Sequence, residues 1–77
     1  MYTFAWNDYV EIDPKAPEQY RPGCRGSIIG FEPWINEDGV EVWTIELDGP
    51  NQGDLQVPTV YIRLIKKADP KIKEHTF

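Results

Sequence analysis

The chain is poor in the residues from which catalytic and metal sites are built. Its 77 residues include one cysteine, Cys24, and one histidine, His75. A lone cysteine closes no intramolecular disulfide, and with one histidine near the C-terminus it makes no zinc ligand set. The same scarcity leaves no histidine in the body of the chain to activate Cys24 or a serine as a nucleophile. Cys24 stands beside Arg25 at the start of a candidate strand and reads as a structural thiol. Long apolar runs are also missing, so nothing spans a bilayer as a helix. The opening Met1-Tyr-Thr-Phe-Ala-Trp-Asn-Asp8 lacks the basic flank and apolar centre of a secretory signal, and no Asn-x-Ser/Thr acceptor occurs. A cytoplasmic protein without membrane contact is the expectation. Helix is scarce too, because seven prolines and six glycines interrupt the chain at short intervals.

Motifs that hint at chemistry fail on inspection. Glu37 and Asp38 are adjacent carboxylates, but they fall on a hairpin tip, where water screens them and no pocket tunes them for acid–base work. The segment opening at Asp48 superficially follows a calcium loop. Pro50 occupies its third position and Thr59 its twelfth, where oxygen ligands and a glutamate are required. Gly26 and Gly30 precede no helix and form no phosphate loop. No catalytic residue, metal or cofactor is expected, and binding is favoured over catalysis.

What the chain does contain is acid, aromatic rings and β-formers. Net charge is −5, unevenly placed. Residues 1–54 set eleven Asp and Glu against Lys15, Arg21 and Arg25, whereas residues 55–77 carry Arg63, Lys66, Lys67, Lys71 and Lys73 against Asp69 and Glu74. An acidic body repels nucleic-acid phosphate and favours a basic partner; it also simply keeps a small protein soluble. A domain this short buries only about 60 % of its unfolded surface, the marginal end for folding alone. Ten aromatic residues offset that, because large rings bury much area at low rotamer cost.

Turn signals divide the chain into five short strand patterns. Asp8-Tyr-Val-Glu-Ile-Asp13 directs Val10 and Ile12 inward, with Tyr9 and Glu11 outward. A loop over 14–23 follows, stiffened by three prolines, of which Pro14 and Pro17 formally frame a Pro-x-x-Pro motif. The second strand, from Arg25 to Glu32, has Gly26 and Gly30 as bend or bulge points; alternation from Ile28 turns Phe31 outward. Asn36-Glu-Asp-Gly39 is a hairpin turn. In Val40-Glu-Val-Trp-Thr-Ile-Glu-Leu47, Trp43, Ile45 and Leu47 share one face, and Val42, Thr44 and Glu46 the other. Leu55-Gln-Val57 alternates again, Pro58–Tyr61 makes a tight turn with 3₁₀ character, and Ile62–Lys66 closes the set.

This pattern resembles the SH3-like, Tudor-like and KOW-like small barrels. The pieces carrying the likeness are Asp8-Tyr-Val-Glu-Ile12, Pro22-Gly-Cys-Arg-Gly-Ser-Ile28, Trp43-Thr-Ile45, Val57-Pro58 and Ile62-Arg-Leu-Ile65. The resemblance implies an all-β fold, a five-stranded SH3-like small barrel over 8–66, with 1–7 as an N-terminal extension and 67–77 as a charged tail. It is nearly silent on function, since such barrels host many unrelated roles.

The aromatics carry the remaining functional signal. Trp6, Tyr9, Tyr20, Phe31, Trp34 and Tyr61 exceed what so small a core can bury, so some either cap it or form a binding surface. The expected surface combines the loop 14–23, the hairpin 33–40 and Tyr9, Tyr20, Trp34 and Tyr61. Glu18, Glu37, Asp38 and Glu41 would select a basic protein partner. An immunity-type inhibitor of a basic toxin is the most concrete form of that reading. Nucleic-acid binding through 63–73, a methyl-lysine or methyl-arginine reader built on convergent rings, a structural subunit and a homo-oligomer stand as alternatives.

Overall fold

The computed structural model describes residues 3–31 and 41–68. Strands β1 (Tyr9–Ile12), β2 (Arg25–Phe31), β3 (Val42–Leu47), β4 (Asp54–Pro58) and β5 (Ile62–Lys66) form one antiparallel sheet in the order β4-β3-β2-β1-β5. Two 3₁₀ turns complete the described residues, a first at Glu18–Tyr20 inside the proline-rich loop and a second at Thr59–Tyr61 between β4 and β5. The fold is all-β, and the sheet is open rather than closed. The second 3₁₀ turn carries the chain from the β4 edge to the β5 edge without reversing it into a hairpin, so the two outer strands share no ladder.

Alternation explains the core. Val10, Ile12, Ile28, Trp43, Ile45 and Val57 are fully buried, each aliphatic contributing about 1.5–3 kcal/mol against exposure. Trp43 is the centre, with Phe4 set edge-on against it at 5.5 Å and 87° between the ring planes. Val42 is buried as well, although alternation assigns it to the outer face. It begins β3 opposite Pro58, at the end of the β3–β4 ladder. Leu55 is half-buried against the core.

Phe31 is a correction. The register of β2 against β3 slips between Ile28 and Gly30, so alternation counted from Ile28 reverses. Phe31 therefore turns inward and packs on Trp43 at 4.8 Å instead of facing water. Gly26 answers a different need from a bend. A Cβ there would stand 2.1 Å from the Glu46 carbonyl oxygen, so only glycine lets β2 approach β3 so closely.

One carboxylate is wholly inside. Asp8 is fully buried immediately before β1. Its Oδ2 accepts hydrogen bonds from the Ala5 backbone N–H and the Lys67 ammonium, each at 2.9 Å, and its Oδ1 accepts from the Ala68 N–H at 2.8 Å. A buried carboxylate is tolerable only when paired and hydrogen-bonded. Here that requirement ties the segment before β1 to the segment after β5.

Candidate binding surface

Tyr20 and Tyr61 meet. The first ends the first 3₁₀ turn and the second ends the second one, so elements far apart in sequence bring the rings to 5.3 Å at a 30° tilt. Local sequence dictates both placements. Pro17 starts the first turn in an extended conformation, the Tyr20 N–H donates to its carbonyl at 2.9 Å, and Arg21 ends the turn in the left-handed region at φ 53°. The Arg21 guanidinium then donates to the Gln52 side-chain oxygen, which ties this loop to the turn before β4. Pro58 starts the second turn in the same way. The Tyr61 carbonyl accepts from the Asp13 N–H at 2.8 Å, which locks the second turn to the end of β1. Both tyrosines are half-buried against the core, leaving part of each ring in water. Glu18 is exposed on the same turn as Tyr20.

The other expected site residues are placed elsewhere. Tyr9 lies on the outward side of β1 and donates its hydroxyl to Asp48. That bond, with burial and the Asp48 charge behind it, raises the Tyr9 pKa above its ordinary value. Glu41 is half-buried and internally satisfied. Its Oε2 accepts from the Thr3 hydroxyl at 2.6 Å and from the Thr59 hydroxyl at 3.1 Å, while Trp43 Nε1–H donates to the Thr59 oxygen at 3.0 Å. Burial pushes the Glu41 carboxyl up, but the hydrogen bonds from Thr3, Thr59 and Trp43 prevail and hold it below the usual range. Glu41 thus props the core tryptophan. Trp34, Glu37 and Asp38, with the hairpin that carries them, lie outside the described residues.

The basic segment is partly committed. Arg63 and Arg25 flank Glu11 on neighbouring strands, directly opposite it in both ladders, with contacts of 2.5 Å and 3.1 Å. The hydrogen bond from Arg63, then that from Arg25, holds the Glu11 carboxyl below the usual range, and Glu11 in turn raises Arg63. Lys67 is bound to Asp8. Lys71 and Lys73 lie outside the described residues.

The sequence reading missed Asp8 and Thr59, the two polar groups that organise the core. Asp8 gives only a faint signal, as an acid at the mouth of a strand, and Thr59 gives none. Among the described residues no cluster of His, Cys, Asp and Glu could hold a metal, and no helix is long and apolar enough to cross a membrane. A shallow groove lined by Thr44, Asp54, Leu55 and Gln56 follows the β4 edge. No family model matches the chain, and no curated protein or solved structure is detectably similar to it.

Proposed function

We propose that this chain is a non-catalytic protein-interaction module of SH3-like barrel type, binding a basic protein through the Tyr20–Tyr61 surface. The strand order β4-β3-β2-β1-β5 and the 3₁₀ turn between β4 and β5 support the barrel reading. The observation that carries the functional reading is the convergence of Tyr20 and Tyr61, both half-exposed, on the face where Glu18 is exposed. Fixed tyrosines give contact area at little entropic cost and are common anchors of protein interfaces. The net charge of −5 steers cationic partners toward the molecule and penalises acidic ones. A small acidic inhibitor covering a basic site is the most concrete form of such a module.

Two alternatives receive less support. A methyl-ammonium cage needs rings that part around the cation, whereas Tyr20 and Tyr61 close on each other at 5.3 Å. Nucleic-acid binding needs cations free to meet phosphate, whereas Arg63 and Lys67 already face Glu11 and Asp8.

The test is affinity capture from the native lysate under nuclease treatment, with the unaltered chain beside Tyr61→Ala and Glu18→Lys as baits. A basic protein held stoichiometrically by the unaltered chain and lost from both variants is the expected result. Equal capture by all three baits, or capture of nucleic acid, would overturn the reading.

A further inference from the structure

β4 is an edge strand whose ladder with β3 leaves alternate residues facing outward. The Leu47 N–H donates to the Gly53 carbonyl at 3.0 Å, and the Thr59 N–H to the Glu41 carbonyl at 2.9 Å. With the register between them, these two bonds fix the hydrogen-bonded pairs as Leu47–Gly53, Ile45–Leu55, Trp43–Val57 and Glu41–Thr59. Asp54, Gln56 and Pro58 fall between those pairs and turn their backbone groups away from β3. Neither Asp54 nor Gln56 finds another backbone partner among the described residues. Pro58 lacks an N–H, and it stands where β3 asks for none. The open stretch borders the groove lined by Thr44, Asp54, Leu55 and Gln56.

The charge around it is of one sign. Glu46 faces Asp54 directly across the ladder, and both are exposed. Like charges opposed in this way are destabilising. The first 3₁₀ turn approaches β4, and it carries exposed Glu18. Among the described residues none of these three carboxylates forms an ion pair. Arg21, which ends that turn, binds Gln52 instead.

We propose that the β4 edge docks an extended basic segment of another protein, which joins the sheet as an added strand. The outward backbone groups of Asp54 and Gln56 supply the ladder, and Asp54, Glu46 and Glu18 select lysine or arginine. A residue facing Asp54 shares the outer side of the sheet with it, so the basic residues belong at alternate positions. The residue between them falls opposite Leu55, half-buried against the core, and is therefore apolar. Proline and charge are familiar protections of an edge. On β4 they make it selective, since Pro58 ends the ladder early and the carboxylates turn away an acidic strand.

Isothermal titration of the full chain with a short synthetic peptide alternating lysine and valine tests this. Weak binding of that peptide is expected, with none of the same peptide carrying glutamate for lysine. Gln56→Pro removes only an outward N–H and should weaken binding about tenfold, whereas Gln56→Ala keeps the N–H and should not. Glu46→Gln combined with Asp54→Asn should weaken it as well, by a margin that shrinks in added salt. Urea denaturation confirms that the variants fold. If Gln56→Pro does not, N-methylation of the peptide reads the same ladder, because only alternate residues aim their N–H at β4. Methylating either the lysines or the valines should then abolish binding, and methylating the other set should spare it. Tyr61→Ala should bind the peptide as the unaltered chain does, which separates this edge from the Tyr20–Tyr61 surface. The proposal would be overturned by no binding, by equal effects of Gln56→Pro and Gln56→Ala, or by equal effects of the two methylated peptides. Loss of binding in Tyr61→Ala alone, or self-association of the chain abolished by Gln56→Pro, would overturn it too.

Discussion

Asp8 and Glu11 are separated by two residues and occupy opposite physical worlds. Asp8 is fully buried and binds backbone, closing the segment before β1 onto the segment after β5. Glu11 points off the outer face of β1 and meets two arginines that are each more than half exposed. The first carboxylate is wholly enclosed and held by two backbone N–H groups as well as by Lys67, whereas the partners of the second are two side chains more than half in water. Counting acids in the sequence treats the two alike. Their environments make one a determinant of the fold and the other a trim on the surface.

The comparison is broken most easily at Asp8. Asp8→Ala leaves the N–H groups of Ala5 and Ala68 without their acceptor and the Lys67 ammonium without its counter-charge. Hydrogen bonds to charged groups contribute about 1.5–3 kcal/mol each, so a loss of about 3 kcal/mol or more is expected in urea denaturation. Amide exchange should accelerate at Ala5 and Ala68 in particular. A loss no larger than that of a surface substitution would mean that the two chain ends are held by packing alone.

An intermediate effect is expected where a polar group supports the core from its rim. Thr59 accepts from Trp43 Nε1–H and donates toward Glu41. Thr59→Val keeps the shape and removes both bonds, leaving the indole N–H without this acceptor. The expected loss is about 1–2 kcal/mol, accompanied by a change in tryptophan fluorescence. An unchanged denaturation midpoint would show that the indole finds another acceptor at no cost.

How much of this was legible in the sequence follows the same division. The five strands, the inward positions Val10, Ile12, Trp43, Ile45 and Val57, and the 3₁₀ turn after Pro58 are all written in local alternation and turn chemistry, and the structure carries them. Phe31 was not legible, because a bulge is decided by pairing with β3 and no single strand reveals it. Closure of the barrel was not legible either; it depends on whether β4 and β5 meet, and they do not. Among the expected site residues that the structure describes, only Tyr20, Tyr61 and Glu18 come to one place. The bonds that hold Glu41 were not legible, because its partners Thr3 and Thr59 lie 38 and 18 residues away along the chain. Period-2 reasoning sees which way a side chain points and cannot see what it finds there.

At alkaline pH the comparison gains a third carboxylate, Asp48, acting on Tyr9. Its hydrogen bond raises the tyrosine pKa, so the folded state holds the phenol proton more tightly than the unfolded chain does. That contribution is complete below the unfolded tyrosine value of about 10. It fades as pH rises through the higher folded value. Absorbance titration should show Tyr9 ionising above its ordinary value, and Asp48→Asn should return it toward that value. A titration curve unchanged by that substitution would remove Asp48 as the cause.

The smallest effect belongs to Glu11. Its carboxyl is held down by Arg63 and Arg25, so its contribution is present at neutral pH, persists down to the ordinary carboxylate range, and is lost as pH falls through the lowered folded value. Glu11→Gln should flatten stability against pH in that acid window and lower the neutral-pH midpoint only slightly, because solvent screens both arginines. Added salt should shrink even that difference. The substitution also releases Arg63 and Arg25 on the outer face, which raises the local positive charge beside β5. If Glu11→Gln proved as damaging as Asp8→Ala, the distinction between interior and surface carboxylates would fail for this sheet. A clear gap between the two substitutions would show that burial sets what each carboxylate contributes.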